Sequence, residues 1–116
     1  MKLPSAKSEG VETLKLHLRA DKIGFTPEFK FHPVRKWRFD FMLAKGIAVE
    51  VEGGVYSQGR HSRGAGMEED MTKYNEGLLL GYRVLRFSTG MVKSGVAIDT
   101  IRRATTLSKH AHSSPS

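Results

Sequence analysis

Several features common in proteins are absent from this sequence, and each absence narrows its class. The chain has no cysteine, which excludes disulfide bonds and zinc sites built from thiolates. No apolar run approaches the roughly 20 residues that span a bilayer. The opening MKLPSAKSEG lacks the apolar core of a signal peptide. These absences favour an intracellular protein without a membrane partner.

Acidic residues are too few to balance the basic ones. The chain carries 19 Lys and Arg against 12 Asp and Glu, which gives a formal net charge of +7. A charge of this sign favours a polyanionic partner, with nucleic acid as the first candidate. A small basic protein that binds nothing specific is the alternative.

The length predicts one domain with loose ends. At 116 residues, the chain is long enough to build one hydrophobic core. We expect a flexible N-terminus over residues 1–8, a single domain over residues 9–105 and a disordered polar tail over residues 106–116.

Hydrophobic periodicity predicts the element order α-β-β-β-α-β-α. Ser8 would cap the first helix, Gly24 would stop it near residue 23, and a glycine-rich loop would occupy residues 53–66. This order predicts an α/β fold with a mixed central sheet flanked by helices, in which the last two strands are parallel. The expected inner face of the second helix is Met71, Tyr74, Leu78 and Leu79. The predicted strands span residues 28–32, 36–43, 47–52 and 82–88, and the later helices span residues 67–80 and 91–105.

Three acids interrupt the most hydrophobic predicted strands, in the stretch WRFDFMLAKGIAVEVEGG. Because alternate residues of a strand share a face, Glu50 and Glu52 should point the same way. On the preceding strand, Asp40 should take the face opposite to Phe39 and Phe41. If Asp40 lies beside Glu50, all three carboxylates meet on one face of the sheet.

Such a cluster needs compensation, because neighbouring carboxylates repel and raise each other's pKa. Mg²⁺ is often held by one or two carboxylates plus waters and phosphate oxygens, so the cluster suggests metal-assisted hydrolysis of a phosphodiester. On this reasoning, alanine at Asp40 or Glu50 would leave the stability of the metal-free protein equal or higher. The alternative is ordinary cross-strand pairing of the acids with Lys36, Arg38 or Arg83.

Four segments, taken in order, resemble one nuclease family: RKWRFDF, AVEVEGG, GRHSRGAG and GYRVLRFS. An Asp on one strand and Glu-X-Lys on the next form the signature of the PD-(D/E)XK nucleases. The segments are similar to the branch around the very-short-patch-repair endonucleases and related small phage and bacterial nucleases. The resemblance covers residues 9–104 and implies a restriction-endonuclease-like αβββαβ core.

The resemblance also implies a role for each matching position. Asp40 and Glu50 would hold Mg²⁺ or Mn²⁺ together with the backbone carbonyl of Val51. Glu12 would be the acid of the N-terminal helix, unless it only favours the start of that helix. Glu52 stands where the signature has Lys, so it could bind a second metal ion or orient the attacking water.

The missing cation and the acid–base group each have a candidate. Lys73 on the second helix could replace the signature Lys, or it could form a surface pair with Glu69. An imidazole titrates near neutrality, so His61 could act as general acid or base, or it could be a solvated loop residue. The candidate contacts to nucleic-acid phosphates are Lys36, Arg38, Arg60 and Arg63.

Two functions remain open from the sequence. The first is a metal-dependent endodeoxyribonuclease with DNA as its partner, in the cytoplasm of a bacterial or phage-infected cell. Structure-selective cleavage, by nicking or at branched DNA, and a homodimer are open within it. The second is a non-catalytic DNA-binding protein on a nuclease fold, which the missing signature Lys favours.

Overall fold

A four-stranded mixed sheet organises the part of the chain that the computed structural model describes, residues 5–53 and 65–107. The strands lie in the order β1-β2-β3-β4, with β1, β2 and β3 antiparallel and β3 parallel to β4. The elements are α1 (Ala6–Ala20), β1 (Thr26–Lys30), β2 (Arg38–Met42), a 3₁₀ turn (Ala44–Gly46), β3 (Ile47–Glu52), α2 (Ala65–Leu79), β4 (Arg83–Ser88), α3 (Thr89–Lys93) and α4 (Val96–Leu107).

The predicted α-β-β-β-α-β-α order and the parallel last strand pair are confirmed. The final predicted helix is split, because Gly95 adopts a positive φ of 92° between α3 and α4. The second segment then continues to Leu107, into the region predicted as a tail. None of the described helices is long and apolar enough to cross a bilayer.

Helix α1 begins earlier than the sequence indicated. Ser5, not Ser8, is the N-cap, because its side-chain oxygen accepts a hydrogen bond from the Ser8 amide at 3.0 Å. The helix ends at Ala20, before the predicted residue 23. Residues 5–7, assigned to a flexible end, therefore belong to the folded domain and bring Lys7 onto the first turn of α1.

Two hydrophobic clusters cover the two faces of β3. Val49 and Val51 pack with buried side chains of α1, α3 and α4, whereas Ala48 packs with Phe31 and Phe39. The Phe31 and Phe39 rings stack with centroids 4.0 Å apart. Burial of each large apolar side chain contributes about 1.5–3 kcal/mol, so β3 is held firmly between the two clusters.

Strand β2 changes faces at Asp40, which corrects the predicted alternation. Phe41 belongs to the cluster on the α1 side and Phe39 to the other cluster. The ladder with β1 pairs Pro27 with Phe41 and Phe29 with Phe39. The Asp40 amide instead donates to the Glu50 side chain at 2.7 Å. A side-chain acceptor therefore satisfies a backbone group in the middle of the strand, and the regular alternation is lost there.

Helix α2 contacts the sheet through a narrower face than predicted. Tyr74 lies against the aromatic cluster, as expected. Met71, Leu78 and Leu79 are instead 55%, 67% and 77% exposed. Gly77 is buried, and an added Cβ there would lie 3.0 Å from the Phe39 ring. The absent side chain lets the helix approach the ring, which turns the larger apolar residues outward.

Candidate active site

Asp40 and Glu50 lie side by side at the centre of the sheet, as the sequence predicted. Glu50 is only 6% exposed, and its Oε2 accepts the hydrogen bond from the Asp40 amide. Burying a carboxylate is costly unless cations and hydrogen bonds compensate it. The surrounding groups therefore decide what this pair of acids can do.

The Asp40 carboxylate is bound from α1. Its Oδ2 accepts hydrogen bonds from the Lys7 ammonium and from the Val51 amide, each at 2.8 Å. The same Lys7 ammonium donates to the Val51 carbonyl oxygen at 2.8 Å. One cation thus joins a β2 carboxylate to a β3 backbone oxygen.

The Glu50 carboxylate is bound from α2. Its Oε1 accepts from the Lys73 ammonium at 2.9 Å and from the Tyr74 hydroxyl at 3.1 Å. Burial, reinforced by the Glu50 charge, holds the pKa of Tyr74 far above its usual value of 10. The phenol therefore keeps its proton and remains a donor to Glu50.

Glu52 has its own cation on β4. Its carboxylate accepts from the Arg86 guanidinium, which also stacks over the Tyr74 ring at 4.5 Å. The hydrogen bond to Glu52 raises the pKa of Arg86 against the opposing effect of burial. Glu52, which stands where the nuclease signature has Lys, is therefore already paired with a cation.

The predicted cluster of three acids is wrong. Within residues 5–53 and 65–107, no three Asp, Glu or His side chains converge closely enough to hold a metal ion. The reason is that Asp40 leaves the regular strand alternation toward Lys7, while Glu50 and Glu52 each bond to a different cation.

The basic residues proposed as cross-strand partners lie elsewhere. Arg38 is 3.8 Å from Glu28, and Arg83 donates to the Lys45 carbonyl at 3.3 Å. Lys36 is exposed in the segment before β2. The three acids are paired with basic residues, as the alternative to a metal site proposed. Their partners are Lys7, Lys73 and Arg86 rather than the predicted ones.

Of two further residues predicted for the site, Lys73 bonds to the acid pair and Glu12 does not. Glu12 pairs with Lys15 at 3.2 Å and lines a cleft of about 250 Å³ that Asp40 also lines, so it is near the acid pair without bonding to it. Lys73 binds Glu50, whereas Glu69 accepts from Arg35 and from the Trp37 indole. The surface pair of Lys73 with Glu69 is therefore wrong. Arg60, His61 and Arg63 lie outside the described residues.

Sequence reasoning missed two cations of the site, Lys7 and Arg86. The parallel register places Arg86 opposite Glu50, and this could have been deduced once β3 and β4 were predicted to be parallel. The sequence signal for Lys7 was Ser5, a residue type that favours helix N-caps and that precedes it by two positions.

The atoms around Lys7 fit a divalent metal ion. Asp40 Oδ2 and the Val51 carbonyl oxygen already share one cation, the Lys7 ammonium, and each is 2.8 Å from it. Mg²⁺ accepts such oxygen donors and completes its shell with waters and phosphate oxygens. Glu50 adds negative charge beside them, although Lys73, Tyr74 and the Asp40 amide occupy its oxygens.

Comparisons with known proteins bear on the fold. No protein-family model and no curated protein matches the chain. Among solved structures, the catalytic domain of the homing endonuclease I-Bth0305I is 26% identical, with a TM-score of 0.58. The match covers 84% of this chain and 90% of that domain. This chain has a nuclease-like fold.

The nuclease-like fold confirms the predicted fold class, a mixed central sheet flanked by helices. Assignment to the PD-(D/E)XK family and to its very-short-patch-repair branch stays a prediction. In this fold the acid pair lies on the two central strands, with α1 supplying one ammonium and α2 the other.

The close approach of β3 to α1 predicts a sensitive glycine. An added Cβ at Gly53 would lie 2.4 Å from the Lys7 amide nitrogen and 2.8 Å from the Ala6 carbonyl carbon. Gly53→Ala should displace the first turn of α1 and destabilise the protein by about 1–3 kcal/mol. Gly24→Ala is the control, because nothing lies within 4 Å of its added Cβ. Equal urea midpoints for the two variants would contradict this packing.

Proposed function

We propose that this chain is a metal-dependent endodeoxyribonuclease that hydrolyses DNA phosphodiester bonds. The observation that supports it most is the acid pair Asp40 and Glu50, with Lys73 bonded to the buried acid. One solved domain that is similar to this chain is the catalytic domain of a homing endonuclease. The net charge of +7 fits a polyanionic substrate.

Asp40 and the Val51 carbonyl would hold Mg²⁺ or Mn²⁺, with Glu50 beside them. When bound, the ion would act as a Lewis acid on a phosphoryl oxygen and lower the pKa of a coordinated water. The Val51 amide fixes the Asp40 oxygen at 2.8 Å, and Tyr74 fixes Glu50 from the other side of the sheet. The acids are thereby oriented before substrate binds, which favours catalysis.

Lys73 would supply the positive charge that Glu52 cannot. Its ammonium is 2.9 Å from Glu50 Oε1 and lies over the rings of Phe39 and Tyr74, at 5.6 and 5.5 Å from their centroids. A fixed cation beside the reacting phosphate stabilises the negative charge that grows in the transition state. Glu52, already paired with Arg86, is then not needed in the role of the signature Lys.

Phosphate contacts outside the acid pair are proposed from charge and exposure. Lys36 and Arg38 are exposed near the start of β2, and Arg60 and Arg63 belong to the glycine-rich stretch of the sequence. Such contacts position the backbone without reading sequence. Because basic residues that neutralise phosphates release counterions, DNA binding should weaken steeply as the salt concentration rises.

Incubation with supercoiled plasmid tests the proposal. We expect nicked or linear DNA with Mg²⁺ or Mn²⁺ and none with a chelator. Parallel reactions with a four-way DNA junction and with RNA of equal length would show whether cleavage is structure-selective and confined to DNA. DNA that is bound but uncut at every metal concentration would overturn the enzymatic function.

The second candidate is a DNA-binding protein without catalysis. It is favoured by Glu52 in the place of the signature Lys and by the cations already bound to all three acids. Salt-dependent DNA binding in a gel-shift assay, without cleavage in the plasmid assay, would identify it.

A further inference from the structure

The Lys7 ammonium lies where the proposed function requires a divalent cation. It is 2.8 Å from Asp40 Oδ2 and 2.8 Å from the Val51 carbonyl oxygen, the two donors assigned to the metal. We propose that Lys7 is a positioning residue that holds this pair of oxygens in the metal-free protein and competes with the metal for them. The inference rests on the proposed function and concerns the loading of the same site.

The backbone of Lys7 is fixed, so only its side chain has to move. Ser5 caps the helix, and the Thr89 hydroxyl donates to the Ala6 carbonyl at 2.6 Å. The Gly53 backbone packs directly against the amide of Lys7. The first turn of α1 is therefore anchored to the end of β3 and the start of α3.

The side chain itself can leave the site. It is 50% exposed, whereas the Asp40 side chain is 17% exposed. An ammonium on a flexible four-carbon stem can turn into solvent without disturbing the helix. The carboxylate stays in place because the Val51 amide also binds its Oδ2. Displacement by metal thus exchanges one cation for another on oxygens that are already aligned.

Lys7 differs in this respect from Lys73. Lys73 binds Glu50 Oε1, has a side chain only 16% exposed and lies over two aromatic rings. No backbone carbonyl shares its bond to Glu50 among the hydrogen bonds of the described residues. Lys7 is therefore the cation that competes with the metal, and Lys73 is the cation that stays.

Metal affinity measured by calorimetry tests the proposal. Lys7→Met removes the competing charge. Mn²⁺ binding should tighten by about five- to tenfold, because no ammonium then competes for the two oxygens or repels the bound ion. Lys7→Arg keeps the charge and should bind Mn²⁺ nearly as the wild type does. Lys7→Gln, which is shorter and uncharged, gives a second measurement if Lys7→Met folds poorly.

Lys15→Met is the matched control. Lys15 lies on the same helix and lines the same cleft, but its ammonium binds Glu12 rather than Asp40. Its loss should change Mn²⁺ affinity by less than about twofold, since only long-range screened charge is removed. A gain of equal size in both variants would show a general charge effect and overturn the role of Lys7.

The remaining outcomes separate this inference from the proposed function. Unchanged or weaker Mn²⁺ binding by Lys7→Met, with binding abolished by Asp40→Asn, would overturn competition by Lys7 and leave the metal site intact. No Mn²⁺ binding by the wild type or by Lys7→Met would overturn both. Binding by Lys7→Met alone would support competition in its strongest form.

Discussion

Lys73→Met is expected to destabilise the metal-free protein by about 3 kcal/mol, at the low end of the range for breaking a buried ion pair. Glu50 is 6% exposed and would be left without its ammonium partner. Tyr74 and the Asp40 amide would still donate to it, which is why the low end applies. Urea denaturation with a chelator present measures the difference.

A surface pair of the same length provides the control for this prediction. Lys93 is also 2.9 Å from a glutamate, Glu9, but both side chains are largely exposed. Lys93→Met should cost no more than about 1 kcal/mol. The double variant Lys73→Met with Glu50→Gln should recover much of the lost stability, because no buried charge remains uncompensated. Equal effects of Lys73→Met and Lys93→Met would mean that burial of Glu50 does not matter.

The contacts of the two acids lead to an expectation that differs from the one drawn from the sequence. Mutual repulsion predicted that alanine at Asp40 or Glu50 would leave the metal-free protein as stable or more stable. The structure gives each acid a cation of its own, Lys7 or Lys73. Removing an acid should therefore lose an attraction. The sequence offered Lys73 as a cation of the site, but it did not show that Lys73 pairs with Glu50 or that Lys7 pairs with Asp40.

The fold was more predictable than the faces of its elements. Strand β3 has its predicted bounds, because Ile47–Glu52 is a short run bounded by glycines and buried on both faces. The predicted inner face of α2 was right at Tyr74 and wrong at Met71, Leu78 and Leu79, because periodicity selects large apolar residues and cannot reveal that Gly77 permits a close approach to Phe39.

The candidate site was predictable where it depends on strand pairing. The spacing between Asp40 and Glu50 matches a short antiparallel connection, and the two residues do adjoin. Lys73 was identified through the family resemblance, since helical periodicity offered Glu69 as an equally good partner. The face change at Asp40 was not predicted; at this position the backbone amide donates to the side chain of Glu50 on the neighbouring strand.

Asp40→Asn is expected to lower the rate of plasmid cleavage by about 10³-fold or more, since transition-state stabilisation of several kcal/mol would be lost. The amide keeps the size of the side chain and an oxygen for the Val51 amide, but it loses the charge that attracts a divalent cation. The Lys7 ammonium is half-exposed and can be solvated when its pair with Asp40 is lost, so this loss should cost about 1 kcal/mol and the fold should persist.

Asp21→Asn is the matched control, because Asp21 pairs with Arg102 at the other end of α1. It should cleave plasmid at the wild-type rate, and both variants should still bind DNA. Cleavage by Asp40→Asn within tenfold of the wild type would remove Asp40 from the reaction.

Comparison of Asp40→Asn with Glu50→Gln and with the double variant shows whether the two acids have a shared role or independent roles in cleavage. If both acids serve one cation, the double variant should lose little more than either single variant, because residues that act as a unit are not additive. Multiplied losses would instead assign the two acids separate tasks.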